Sequence, residues 1–284
     1  MTGTAGPVAA SPHLGYNYVA LGDSYTAATG FSDLPDTDYA PFGCFQAHTD
    51  YPHQIAAMLG GEHKLGTFAD ASCGGATVTA FTNSQHTIDG VNAPQYNRID
   101  RTTNLVTIGI GGNDVGLEQL VEECARDGLA NQSCRAAHVR DGVDDIAAAI
   151  TTAEPKVEAA IRDVRARAAK DVRILIVNYL EAVPDSGEGC YPAVPILPED
   201  ATWFAQKYRQ LNAMLTTAAT NQNAEIVDTY EPTMGHNVCA DPATRYVEFL
   251  TVVTSNPPFS LAAPVHPNIA GADAQTRLVA SAIG

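Results

Sequence analysis

The sequence predicts an α/β protein: a three-layer α/β/α sandwich with a central, mainly parallel sheet of about five strands. Two observations lead to this prediction. Short apolar runs alternate along the chain with longer segments of helical periodicity. The runs are apolar throughout rather than at every second residue, which is typical of strands buried on both faces of a parallel sheet.

Five segments are the strand candidates. The clearest is NYVALGD near the start of the chain, and the weakest is HKLGTFADASC. The other three are NLVTIGIGGND, VRILIVNYL and AEIVDTY. Because helical segments separate them, we expect the strands to be joined by right-handed crossover connections.

Four segments carry the helical periodicity. In DYPHQIAAML, Asp50 is the expected N-cap and Pro52 falls in the first turn. A long amphipathic segment covers about 143–169, and we expect Pro155 to kink or split it. The other two are about 201–221 and the C-terminal segment IAGADAQTRLVASAIG.

Composition and charge limit the classes of function. The chain has 284 residues, 45% of them hydrophobic, which is enough for one sizeable core. We expect a single domain over 16–284, with 1–15 as a flexible N-terminal segment of the mature chain. The net charge of −16 argues against binding to nucleic acid or to anionic lipid, since both require clustered Lys and Arg. No apolar stretch of the sequence is long enough to span a membrane.

Six cysteines predict an oxidising compartment. The sequence has no CxxC pair and no Cys/His spacing typical of a zinc site, so we expect neither a metal nor a cofactor. The even number favours three disulfides, and the alternative is six buried thiols in a cytosolic protein. The first residues, MTGTAGPVAASPHLG, contain no signal peptide and look like the trimmed start of a secreted chain. We expect sequential pairing: Cys44–Cys73, Cys124–Cys134 and Cys190–Cys239.

Three strand ends carry residues suited to catalysis. Ser24 follows one strand in VALGDSYT, Gly74 and Gly75 follow another in SCGGAT, and Asn113 follows a third in GIGGNDVG. The carboxyl ends of parallel strands share the edge of the sheet where ligands bind. A serine can act as a nucleophile, and backbone N–H groups or an asparagine amide can stabilise an oxyanion. Taken singly, each is also consistent with a helix cap or a tight turn.

A serine nucleophile requires a base, and His266 is the candidate. It lies in APVHPNIAGA, where a loop meets the last helix, and this position suits a base that faces the same sheet edge. A lone histidine is more often a packed or surface residue. The G-x-S-x-G turn of the α/β-hydrolases is absent, because the chain reads GDSYT at Ser24.

The four segments together resemble the GDSL, or SGNH, hydrolase family. The serine, glycine, asparagine and histidine of that family match Ser24 in GDSY, Gly75 in GGAT, Asn113 in GGND and His266 in HPN, in the same order. The resemblance implies an SGNH hydrolase-like fold, with Ser24 as nucleophile and His266 as base. It also implies an oxyanion hole made of the Ser24 N–H, the Gly75 N–H and the Asn113 amide. Three sequential disulfides and the segment GHNVC are similar to the secreted actinobacterial lipases and esterases of the family.

One position departs from the family pattern. Most members carry Asp three residues before the histidine, where this chain has Ala263. The resemblance to secreted actinobacterial members implies that a backbone carbonyl, of Ala263 or of Pro264, accepts the His266 Nδ1–H instead. A carbonyl can fix the tautomer of the imidazole, although it supplies no full negative charge. We therefore expect a working Ser–His dyad.

The resemblance implies a secreted, monomeric serine esterase or lipase. Its substrates would be carboxylic (acyl) esters, either small molecules or lipids, cleaved through an acyl-enzyme intermediate. A carbohydrate O-deacetylase or a phospholipase could use the same site, because one fold hosts many substrates. An alternative from another class is a secreted binding protein that kept the fold and lost turnover together with the Asp.

Overall fold

The five expected strands form one parallel sheet, which confirms the predicted fold class. This computed structural model describes residues 15–27, 35–248 and 265–284. The strands are β1 (Tyr16–Gly22), β2 (Leu65–Asp70), β3 (Leu105–Gly109), β4 (Arg173–Val177) and β5 (Glu225–Val227). Their order across the sheet is β2-β1-β3-β4-β5, and every neighbouring pair is parallel.

Five long helices connect and follow the strands. They are α1 (Tyr51–Gly61), α2 (Leu117–Leu129), α3 (Asp145–Arg167), α4 (Pro198–Asn221) and α5 (Ile269–Ile283). Shorter helical elements are Ser24–Ala27, Phe42–Cys44, Val78–Phe81, Gln95–Arg98, Arg135–His138 and Glu231–Thr233. Three small antiparallel ladders pair Gln85–His86 with Val91–Asn92, Val139–Arg140 with Val143–Asp144, and Val247–Glu248 with His266–Pro267.

The two faces of the sheet bury different helices. Along β1, Tyr18 and Ala20 point into a core cluster shared with α1 and α5, whereas Val19 and Leu21 point into a larger cluster shared with α2, α3 and α4. Successive side chains of a strand point to opposite faces. A strand covered on both faces therefore needs apolar residues at both sets of positions, which is why the runs are apolar throughout.

Helix α1 begins as the sequence predicts, and Pro155 does not split α3. The Asp50 side chain accepts a hydrogen bond from the His53 N–H, and Pro52 lies in the first turn of α1. Helix α3 runs without a break from Asp145 to Arg167 although it contains Pro155. Buried residues on both sides of the proline, such as Ala153 and Val157, keep the two halves packed against the core. Tertiary packing thereby offsets the backbone hydrogen bond that the proline removes.

Three disulfides are present, as expected from the six cysteines. They join Cys44 to Cys73, Cys124 to Cys134 and Cys190 to Cys239. The expected flexible segment 1–15 lies outside the described residues, apart from its last residue. Within the described ranges, no helix is both long and apolar enough to cross a membrane.

The carboxyl end of β1 packs closely against the turn that follows it and against the end of β3. A Cβ added at Gly22 would overlap the Thr26 hydroxyl and the Gly109 carbonyl oxygen. The side chain of Gln95 binds both backbone groups of Gly22, accepting from its N–H and donating to its carbonyl, each at 2.9 Å. Glycine at position 22 thus allows the turn that follows β1 to lie directly against the end of β3.

We predict that Gly22→Ala destabilises the protein by roughly 2 kcal/mol or more, because the added methyl has no space at this junction. The control is Gly61→Ala at the end of α1, where an added Cβ meets nothing within 4 Å. Urea unfolding of both variants measures the effect. Equal stability of the two variants would contradict the packing described here.

Candidate active site

Ser24 and His266 meet at the carboxyl edge of the sheet. Ser24 is the first residue of the helical turn after β1, and His266 lies three residues before α5. The His266 Nε2 atom lies 2.6 Å from the Ser24 Oγ atom, across a sequence separation of 242 residues. Both residues are only 7% exposed. A hydroxyl this close to an imidazole nitrogen is placed for proton transfer.

His266 is held by the backbone on either side of it. Val265 has a φ of +60°, which is unfavourable for a β-branched residue, so the surrounding contacts must hold it in place. Its N–H donates to the Glu248 carbonyl at 2.5 Å, and its own carbonyl accepts from the Tyr25 hydroxyl. Asn268 caps α5 by accepting from the Gly271 N–H at 3.0 Å.

Asn113 joins the two glycine-containing turns. Its Nδ2 atom donates to the Ala76 carbonyl at 2.9 Å, so it uses one N–H of an amide that has two. The neighbouring Asp114 accepts from the Val78 N–H at 2.9 Å, which is the bracing role expected of a turn residue. Gly75 has a φ of +73°, a conformation that glycine adopts without strain. Within the described ranges, neither the Ser24 N–H nor the Gly75 N–H donates a hydrogen bond to the protein.

A cleft of about 320 Å³ opens at the Ser24–His266 pair. Asn113 lines it together with Ser24 and His266, whereas Gly75 is not one of the residues that line it. Helix α2 contributes the apolar side chains of Leu117 and Val121 and the carboxyl group of Glu118. The cleft therefore combines polar and apolar lining residues, as small-molecule sites commonly do.

Asp23 lies beneath the cleft as a buried carboxyl group. Its Oδ1 atom accepts from the Tyr25 N–H at 2.9 Å, and its Oδ2 atom accepts from the Tyr179 hydroxyl at 2.6 Å. The same hydroxyl accepts from the Gly112 N–H at 2.7 Å. Burial raises the pKa of Asp23 to about 7, although the two donors oppose that rise. This chain of hydrogen bonds fixes the serine turn against the turn that carries Asn113.

Some residues of the cleft could be predicted from the sequence, and others could not. The structure brings Ser24, Asn113 and His266 to one cleft. Ala263 and Pro264, expected to orient His266 through a carbonyl, lie outside the described residues. Tyr25 and Tyr179 could not be selected from the sequence, because an isolated tyrosine carries no signal of the distant group that it binds.

The fold and the Ser–His pair are typical of serine hydrolases with an α/β/α sandwich. The chain belongs to the GDSL-like lipase/acylhydrolase family, whose model matches residues 20–274. The predicted family and class of enzyme, an ester hydrolase of the lipase/esterase type, are confirmed by this membership.

Relatives of known name agree with this membership. The chain is 33% identical to Lipase 2 of Streptomyces coelicolor, over 95% of this chain and 86% of that protein. It is 29% identical to an esterase of Streptomyces scabiei, over 100% of this chain and 90% of that protein. Among solved structures, the extracellular lipase of Streptomyces rimosus is similar with a TM-score of 0.71 at 21% identity, and the match covers 94% of this chain and 99% of the other.

We predict that Tyr25→Phe lowers kcat for an ester about tenfold and leaves KM unchanged, because Val265 loses the hydrogen bond that positions His266. Tyr18→Phe is the control, since that hydroxyl binds Thr107 on the face of the sheet shared with α1 and α5. Steady-state kinetics and urea unfolding of both variants measure the effect. The positioning role fails if kcat falls equally in the two variants.

We predict that Asp23→Asn changes how stability depends on pH. The pKa of Asp23 is higher in the folded protein, at about 7, than in the unfolded chain, so the native state binds more protons between these values. Wild-type stability then falls as pH rises from about 4 to 7.5, and the asparagine variant lacks this contribution. The wild-type free energy of unfolding minus that of the variant should fall by roughly 2–4 kcal/mol over that range. A difference independent of pH in urea unfolding would refute the assignment.

Proposed function

We propose that the protein hydrolyses carboxylic (acyl) esters through a Ser24–His266 dyad and an acyl-enzyme intermediate. The observation that carries the proposal is the 2.6 Å contact between Ser24 Oγ and His266 Nε2 at the mouth of the cleft. The contact joins a hydroxyl and an imidazole that two different segments of the chain hold in place.

In the acylation step, Ser24 Oγ attacks the carbonyl carbon of the ester. His266 Nε2 accepts the proton of the hydroxyl as the new C–O bond forms. When the tetrahedral intermediate collapses, the same proton passes from His266 to the leaving alkoxide. In the deacylation step, His266 accepts a proton from water as the water oxygen attacks the acyl carbon. The second tetrahedral intermediate then collapses with cleavage of the bond to Ser24 Oγ, His266 returns the proton to Ser24 Oγ, and the acid is released.

The proposed oxyanion hole consists of the Ser24 N–H, the Gly75 N–H and the Asn113 side chain. Neither backbone N–H group donates a hydrogen bond to the described part of the chain. The Asn113 amide donates one of its two N–H groups to the Ala76 carbonyl, so the second N–H remains for the oxyanion. Donors fixed in this way stabilise the negative charge that develops on the carbonyl oxygen. The Ala76 contact is needed to aim the amide, because a free asparagine side chain would rotate.

The tautomer of His266 must place its remaining proton on Nδ1. We propose that the carbonyl of Ala263 accepts this proton. The carbonyl of Val265 is engaged by the Tyr25 hydroxyl, so the backbone next to His266 is fixed from a second direction. A histidine oriented by carbonyl groups keeps the correct tautomer without the buried negative charge of a third catalytic residue.

The proposed substrate is an acyl ester, from a short-chain ester to a lipid. The apolar side chains of Leu117 and Val121 in the cleft suit an acyl chain. We also propose that the protein acts outside the cell, which is supported by its three disulfides and by its similarity to an extracellular lipase.

We predict that Ser24→Ala and His266→Ala each lower kcat/KM for p-nitrophenyl esters by at least about 10⁴-fold, because each removes a group that acts in bond formation. Ser84→Ala and His86→Ala are matched controls on exposed residues of the same two types. The measurement is hydrolysis of esters with acyl chains of increasing length. If the first pair of variants retains wild-type rates, the dyad is wrong.

A second readout separates an enzyme from a protein that only binds. A fluorophosphonate should label wild-type protein at Ser24 and fail to label Ser24→Ala. A wild-type protein that hydrolyses no ester and resists the fluorophosphonate would favour the binding-protein alternative. Comparison of p-nitrophenyl esters with an acetylated polysaccharide and a phospholipid then distinguishes substrates that share the same site.

A further inference from the structure

A second cluster of ionisable side chains surrounds His53, and none of its residues lines the cleft at Ser24. Asp50 and His53 lie at the start of α1, and Asp70 ends β2. One potential ligand atom of each residue lies within 4.8 Å of the others. Both aspartates are fully buried. The proposed hydrolysis assigns these residues no role, and the capping of α1 accounts for Asp50 alone.

The cluster contains two buried carboxyl groups that contact each other. The Oδ2 atoms of Asp50 and Asp70 accept no hydrogen bond from an N–H group in the described ranges, and the Ser72 hydroxyl lies beside Asp70. Ser72 adjoins the cluster because its N–H donates to Asp70 Oδ1 at 2.9 Å. Burial raises the pKa of both aspartates well above the usual range. The charge of Asp50 raises the pKa of Asp70 further, whereas a hydrogen bond between the two side chains opposes the rise in the pKa of Asp50. Among the described residues, no Lys or Arg forms an ion pair with either carboxylate, and histidine is their basic neighbour.

The ring of His53 lies between three carboxyl groups. Its Nδ1 atom forms a hydrogen bond with Asp50 Oδ1 at 2.7 Å and lies 3.9 Å from Asp70 Oδ2. Its other nitrogen, Nε2, lies 2.9 Å from Asp36 Oδ2. A histidine that ligates a metal through one nitrogen almost always directs the other toward a carboxylate or carbonyl. Asp36 supplies this outer carboxylate.

We propose that Asp50, His53 and Asp70 bind a divalent transition-metal ion such as Zn²⁺, with Asp36 orienting His53. One imidazole nitrogen and two carboxylates are a ligand set that zinc accepts, and a water molecule or the Ser72 hydroxyl can complete a tetrahedron. Zinc ligands roughly 2.0 Å from the metal lie roughly 3.3 Å from one another, between the two distances measured from Nδ1. Calcium is disfavoured, because it takes six to eight oxygen ligands.

The position of the cluster gives the ion a structural role. Asp70 ends the strand that leads into Ser72, Cys73 and the glycine turn, and Asp50 caps α1. Gln46 reinforces the same region, since its Nε2 atom donates to the carbonyls of both Asp70 and Ser72. An ion held by α1 and β2 would fix the approach to Gly75. This role does not depend on whether Ser24 is a nucleophile.

The test measures zinc on the intact chain. Protein stripped with EDTA is dialysed against micromolar Zn²⁺, then against metal-free buffer, and its zinc content is determined by mass spectrometry. His53→Gln and Asp70→Asn remove one ligand each. The matched control is His138→Gln, because His138 also lies between two carboxylates, 2.9 Å from Glu123 and 3.0 Å from Asp145, but at a more exposed site.

We expect wild type and His138→Gln each to retain one zinc ion per chain. His53→Gln and Asp70→Asn should retain none. At saturating zinc, wild type should also unfold at a temperature at least about 5 °C higher than the stripped protein, whereas calcium should have no such effect. The site is wrong if stripped wild type takes up no zinc, or if His138→Gln loses the ion and His53→Gln keeps it. Circular dichroism checks that each variant is folded. If a variant is not folded, the zinc content and thermal shift of wild type decide alone.

Discussion

The contact between the ends of β1 and β3 determines how the turn that carries Ser24 lies against the turn that carries Asn113. The Thr26 side chain occupies the space that Cβ atoms at Gly22 and Gly109 would need. The Gly109 carbonyl accepts from the Asp23 N–H at 2.9 Å, so the turn that carries Ser24 begins on the neighbouring strand. Because this junction is packed without space to spare, the serine has little freedom to move relative to the turn that follows β3.

Hydrogen bonds of two buried tyrosine hydroxyls connect the segments that surround the cleft. Tyr179 connects Asp23 on the serine side to Gly112 beside Asn113. Tyr25 connects the serine turn to Val265, directly before His266. Both hydroxyls are buried, so an unmade bond would leave a polar group without water and would cost free energy. Ser24, His266 and Asn113 are thus held relative to one another through shared partners rather than by separate local structures.

The carboxyl end of β2 and the glycine turn that follows it are held by a different set of interactions. The disulfide between Cys44 and Cys73 and the two hydrogen bonds of Gln46 fix the residues before the glycine turn. Asp114 and Asn113 then bind the residues after it. The carboxylates around His53 adjoin this region, so a cation there would act on the segment that presents Gly75. Covalent, polar and ionic restraints would then act together on the segment between β2 and Gly75.

Much of the fold follows from local sequence because burial on two faces requires continuous apolar runs. All five strands and the Asp50 cap of α1 could be predicted for this reason. Whether Pro155 splits its helix could not be predicted, because the answer depends on buried neighbours such as Ala153 and Val157 that pack only in the folded chain. Of the candidate site residues, Ser24, Asn113 and His266 could be selected because they lie at strand ends or at a helix start within recognisable motifs.

The sequence by itself determined the sheet, the order of its helices and the short motifs that present polar groups at one edge. Only the tertiary structure decided which groups meet. The partners of Tyr25 and Tyr179 lie 240 and 156 residues away along the chain. The meeting of Asp50 and His53 with Asp70 likewise depends on how α1 packs beside β2. Local patterns report burial and backbone conformation, whereas the distance between two side chains depends on how the whole chain packs.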